Sequence, residues 1–148
     1  MSKQLQLKII TPERLVLEEM VDSVTLPTTE GEISILADHV PLVAGLGSGD
    51  IVTRIGNDHV PMVIVGGLVE VKKDENGITT CAVLADFVEH VADITDEAIA
   101  HARARAAELK KLAENKEVVD FEHFATELER SLNRVKIADK WRTKKYRK

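Results

Sequence analysis

The chain has 148 residues, 44% of them hydrophobic, with 20 basic and 25 acidic side chains for a formal net charge of -5. That length suits one core, or a modest domain with an appendage, and the single cysteine, Cys81, excludes an intramolecular disulfide framework. No apolar run is long enough to span a bilayer, and the charge is split, -8 over residues 1–92 against +3 over residues 93–148.

The lone cysteine fits a reducing compartment, and the N-terminal residues enter an alternating segment directly, without an apolar signal core. Leu5, Leu7 and Ile9 alternate with Gln4, Gln6 and Lys8, the period-two pattern of a strand with one buried face, and Thr11-Pro12 ends it. Strand-like segments follow at 23–26, 33–36, 51–55, 60–65, 68–72 and 78–84. Turn chemistry separates them at Gly31, 38–41, 47–50, 56–58 and Asn76-Gly77, the last being the strongest hairpin signal. With no helical pattern between the strands, the expectation is antiparallel β packed in two layers.

The period changes near residue 93. Asp93 or Thr95 can cap a helix running to about Glu114, with Asp96 and Glu97 against the positive end of its dipole. Its apolar content is mostly alanine, which forms helix well and buries little area. After an interruption at 115–119, Asp120 is a cap for a second helix carrying Phe121, Phe124, Ala125, Leu128, Leu132 and Val135 as an apolar stripe. A short link implies an antiparallel hairpin. The fold predicted is therefore an N-terminal antiparallel β-sandwich (1–90) followed by a C-terminal two-helix antiparallel hairpin (91–148).

Catalytic chemistry finds little support. The histidines at 39, 59, 90, 101 and 123 form no pair at metal-ligand spacing, and Ser34, Ser48 and Cys81 lack a nucleophile's setting. Gly66-Gly67 joins two strand-like runs and precedes no helix, so a steric role is expected in place of a phosphate cradle. Asp93, Asp96 and Glu97 are explained by capping. From Arg130 onward nine basic residues face only Asp139, and the 140–148 tail interleaves Trp141 and Tyr146 with six of them. That composition suits an acidic protein surface, nucleic acid or a solvated helix end, although the acidic remainder of the chain would repel a polyanion.

The order Val21-Asp22-Ser23-Val24-Thr25-Leu26-Pro27, Gly31-Glu32, Ile35-Leu36, His39-Val40-Pro41-Leu42, Leu46 and Gly49 resembles the N-terminal signature of the epsilon subunits of F-type ATP synthases. Gly66-Gly67-Leu68-Val69-Glu70-Val71 and Val83-Leu84-Ala85-Asp86 resemble the second signature; Ser34 departs from the first. The resemblance implies a non-catalytic subunit of the central stalk, bound to the gamma subunit and the c-ring on the cytoplasmic face of the inner membrane and turning as protons cross. It implies a ring-facing loop from Glu30 to Leu42, with Glu30, Gly31, Glu32, His39, Pro41 and Leu42 as contact residues. It also implies that the hairpin either folds on the sandwich or extends into the catalytic head and impedes hydrolysis. There Arg130, Arg134, Lys140, Arg142, Lys144, Lys145 and Arg147 would meet acidic loops of the beta subunits; a permanently docked brace is the alternative. Family members that bind ATP carry Ile/Leu-Asp-x-x-Arg-Ala at the start of the first helix. Here Thr95 and Ile99 replace the aliphatic and the arginine, so no cofactor is expected, although Arg103 and Arg105 are close by.

Overall fold

In the computed structural model, which describes residues 3–115, 121–144 and 146, the alternation of Leu5, Leu7 and Ile9 becomes β1 (Leu5–Ile10), with all three side chains fully buried. Seven further strands follow: β2 (Leu15–Val21), β3 (Ser23–Thr28), β4 (Gly31–Leu36), β5 (Leu42–Gly45), β6 (Gly49–Ile55), β7 (Asp58–Lys73) and β8 (Thr79–His90). A single 3-10 turn at Val91–Asp93 leads into α1 (Asp96–Glu114) and α2 (Phe121–Trp141). No helix among the described residues is long and apolar enough to cross a membrane.

Hydrogen bonding links the strands in the order β2-β1-β8-β7-β6-β3-β4, with β5 also on β7. The first half of β7 pairs with β6, from Ile55↔Asp58 to Gly49↔Ile64, and its second half pairs with β5, from Gly45↔Leu68 to Leu42↔Val71. β8 follows β7 along both halves. These two long strands therefore belong to both layers, and the sheet folds over a shared core of Leu5, Leu7, Val24, Ile35, Ile51 and Met62 among others.

The bend lies at Gly66-Gly67. Both residues have positive φ, 66° and 121°, and a Cβ on Gly67 would sit 2.1 Å from the Leu84 carbonyl oxygen. The steric reading of the pair holds. The two strands expected at 60–65 and 68–72 are one strand bent at the glycine pair with its register to β8 unchanged, because glycine lets the β7 and β8 backbones approach where any side chain would part them.

One strand pair corrects the all-antiparallel expectation: β1 runs parallel to β8, from Gln6↔Thr80 to Ile10↔Leu84. The argument from missing helices applies to successive strands. Here six strands lie between the two in sequence, and the body of the sandwich serves as the crossover. The 76–77 reversal forms as a wider loop, in which Asp74 N–H donates to Ile78 O at 2.9 Å and only Gly77 takes positive φ.

Thr95 caps α1, its Oγ1 accepting from Ala98 N–H at 3.0 Å. Ile99, Ala102, Ala106 and Leu109 are its buried residues, so α1 packs closely on α2 through small side chains. The stripe expected on α2 is only partly the buried one. Phe124 is buried, but Ala125 and Leu132 are exposed, while Ser131, Asn133, Ile137, Ala138 and Trp141 are covered. The helix is turned because its C-terminal half docks on β6 and β7 through polar groups that a count of apolar residues passes over. The Asp120 cap, the Phe121 side chain, Lys145 and Arg147 lie outside the described residues.

Candidate functional site

The expected ring-facing segment is two turns joined by a strand, not one loop. Glu30 and Gly31 form the tip of the β3–β4 hairpin, where Thr28 Oγ1 accepts from Glu30 N–H at 3.2 Å and donates to Gly31 O. Glu32, Ser34 and Leu36 alternate along the exposed side of β4. His39 and Pro41 lie in the β4–β5 connection, and Leu42 opens β5. Glu32 and Leu36 are thus roughly 13 Å apart along the strand, and His39 lies beyond Leu36.

The second turn is firmly built. Asp38 takes φ 66° and donates its N–H to Thr79 Oγ1 at 2.7 Å. Lys3 and Lys73 grip its carboxylate at 2.9 and 3.0 Å, and those bonds, Lys3 first, hold the carboxyl below its ordinary range. His39 Nδ1 lies 2.8 Å from Val40 O. Around this fixed turn Leu36, Val40 and Val43 are exposed.

A feature that no segment of the sequence displays runs across the outer face of the layer containing β1. Leu15 pairs with Ile10, Ile10 with Leu84, Leu84 with Leu68, and Leu68 with Gly45. The result is an apolar rung crossing five strands, with Leu15, Leu84 and Leu68 at 50%, 47% and 38% exposure. The next two rungs carry charge: Lys8 meets Glu18 at 3.8 Å, and Glu70 meets Lys72, one rung further on, at 3.3 Å. A contiguous apolar strip with a polar border marks an interaction surface. It depends on the β1/β8 register, which brings together residues about 75 positions apart.

The helical hairpin covers the opposite face. Ile137 and Trp141 pack with Val63 and Val91, with Val52 and Phe87 alongside. Around this small apolar patch the arm's basic groups face inward. Arg134 makes two hydrogen bonds to Glu89, at 2.7 and 2.9 Å; Lys140 Nζ reaches Asp50 at 2.8 Å; and Arg130 stacks 4.3 Å from the Phe87 ring. Arg142 pairs with Asp139 at 3.2 Å, and Lys144 lies 5.3 Å from the Trp141 ring. Trp141 is only 6% exposed, with Tyr146 edge-on at 5.9 Å, so in this arrangement it offers no face on which a base could stack.

Between the start of α1 and the end of α2, Asp96, Ile99, Ala100, Arg103 and Arg142 line a cleft where the degenerate nucleotide motif falls. Ile99 is buried, and the two arginines are already engaged, Arg103 meeting Asp139 at 2.7 Å. Arg105 binds Glu127 at 2.5 and 3.1 Å, which holds the Glu127 carboxyl below its ordinary range. Among the described residues no group of three or more His, Cys, Asp or Glu side chains is arranged to hold a metal ion. Burial pushes the Cys81 thiol up to about 12, which leaves it protonated and unreactive.

Residues 4–91 match the family model described as ATP synthase, Delta/Epsilon chain, beta-sandwich domain. An ATP synthase epsilon chain of Syntrophobacter fumaroxidans is 36% identical over 140 residues, covering 95% of this chain and 99% of the relative. One of Dehalococcoides mccartyi is 38% identical over 145 residues, covering 94% and 95%. Among solved structures, a chain in the Euglena gracilis mitochondrial ATP synthase assembly of OSCP, F1 and c-ring aligns with TM-score 0.65 and 22% identity, over 90% of this chain and 80% of that one. At that identity the likeness shows the fold.

Proposed function

The chain belongs to the epsilon subunits of F-type ATP synthases, and from that premise we propose that it is a non-catalytic part of the rotor, coupling rotation of a proton-driven c-ring to the catalytic head. The observation that carries this reading is the pair of opposed faces. The hairpin covers one side of the sandwich, and the other bears the bare apolar rung of Leu15, Ile10, Leu84 and Leu68. The rung binds the gamma subunit. The turns holding Glu30, Gly31, Glu32, His39, Pro41 and Leu42 meet the c-ring, with the fixed Asp38 turn as their stiff base. A close-packed sandwich transmits torque because its interior has low compressibility. The complex lies at the cytoplasmic face of the membrane, and this chain is held there by its partners.

In this reading residues 1–90 are the coupling unit and residues 91–148 a regulatory arm. Arg130, Arg134 and Lys140 are spent on the sandwich while the arm is docked. They reach acidic loops of the beta subunits only after release, so the docked arrangement is the one that permits hydrolysis. Purification of a tagged chain from its native membranes tests the rotor assignment. Recovery of gamma and c subunits is expected, and their consistent absence overturns it.

A further inference from the structure

Asp50 and Asn133 are each 7% exposed, and each makes its side-chain hydrogen bonds, among the described residues, across the junction between arm and sandwich. Asp50 is the second residue of β6, where one carboxylate oxygen accepts from Trp141 Nε1 and from Lys140 Nζ, both at 2.8 Å. Asn133 Nδ2 donates to the carbonyls of Gly49, at 3.2 Å, and Ile64, at 2.8 Å, two residues that face each other in the β6–β7 ladder. Asn133, Ile137 and Trp141 are spaced four and eight residues apart on one side of α2, and all three are buried. Ile137 supplies the apolar contact between two polar anchors about 12 Å apart along the helix.

Two anchors at that separation fix both the position and the rotation of α2. A slip of one helical turn, about 5.4 Å, would leave the Asp50 carboxylate without the Lys140 and Trp141 donors and the Asn133 amide without the two strand carbonyls it binds. Covered polar groups without partners are costly, and a charged one most of all. Intermediate positions of the helix are therefore disfavoured, whereas full release returns every one of these groups to water. We propose that the Gly49-Asp50 corner and the Asn133-Ile137-Trp141 stripe form a two-point clasp that makes docking of the C-terminal helix all-or-none, with the Asp50 carboxylate as its release point. The clasp is a property of the folded chain itself and does not depend on the rotor assignment.

Trp141 is the only tryptophan, so it reports on the clasp directly. Acrylamide quenching of its fluorescence in the full-length chain, followed along a urea series, gives the release midpoint, and far-UV circular dichroism follows the strands separately. For the wild type, Trp141 should become accessible before the strands unfold. D50N should lower the docked-to-released ratio roughly tenfold or more, because it removes a charge-assisted acceptor. The decisive variant is N133A, whose side chain does not touch Trp141. It should expose Trp141 at the same lowered midpoint as D50N, whereas D139N, outside the clasp, should leave that midpoint unchanged. If D50N unfolds the strands, N133A decides alone. Exposure of Trp141 in N133A only at the wild-type midpoint, or exposure in the wild type only together with strand unfolding, overturns the proposal.

Discussion

Replacing Gly67 with alanine tests how the sandwich is bent. The added methyl would lie 2.1 Å from the Leu84 carbonyl oxygen and 2.9 Å from the Ala85 Cα, both backbone atoms of the paired strand. Neither can swing aside, so β7 and β8 must part where the two layers meet. The φ of +121° adds strain for any L side chain. Backbone strain of roughly 1–3 kcal/mol and overpacking of a similar size give a loss of about 2–6 kcal/mol for G67A. Gly77 provides the control, since its φ is +77° but nothing lies within 4 Å of an added Cβ. There only the left-handed conformation costs, about 1–2 kcal/mol. Gly66 should fall between them, because its clash at 2.5 Å is with the end of the Asp86 side chain, which can rotate away. Urea unfolding of the three variants should rank G67A well below G66A and G77A. Equal losses for G67A and G77A would show that close approach of β8 does not shape the bend.

On the exposed rung, L84D should leave urea stability within about 0.5 kcal/mol, as for most surface changes, yet weaken binding to isolated gamma by roughly thirtyfold, measured by calorimetry. Removing residues 93–148 uncovers Val63 and Phe87 without opening the main core. The truncated sandwich should fold and bind an apolar dye more strongly, and complexes carrying it should hydrolyse ATP faster, in a steady-state ATPase assay. E32K should lower ATP-driven proton pumping at matched assembly; equal pumping would count against a ring contact at that turn. The Glu127 carboxyl, lowered from 4.5 by its bonds to Arg105, contributes stability that is complete above that ordinary value and is lost as pH falls through its folded value. Helix ellipticity should decline across that acid window, and E127Q should flatten the decline.

Local periodicity reached only part of this architecture. Leu5, Leu7 and Ile9 announce β1, and Thr95 with Asp96 and Glu97 announces α1, because these signals lie within a few neighbouring residues. β2 passed unseen because Leu15-Val16-Leu17 and Glu18-Glu19 do not alternate, and β5 because four residues give no period. The β1/β8 pairing and the rung built on it depend on residues far apart in sequence, and no local pattern encodes such a register. The helix face went astray for another reason. Ser131 and Asn133 look like solvent-facing residues until the β6 and β7 carbonyls are set beneath the helix, and Trp141 within a basic run suggests nucleic-acid stacking until Asp50 is seen to take its N–H. A glycine-flanked aspartate at Gly49-Asp50 gave no sign of being a buried acceptor.

A covalent tether tests directly whether the chain turns with gamma. Cys81 is buried with its thiol pushed up to about 12, so a cysteine placed on the rung as L84C can be oxidised onto a gamma cysteine with little interference from the native thiol. If the two move as one body, the tethered complex pumps protons on ATP at the rate of the untethered one. A tether that forms and halts pumping, or a rung cysteine that never reaches gamma in the assembled enzyme, contradicts the account.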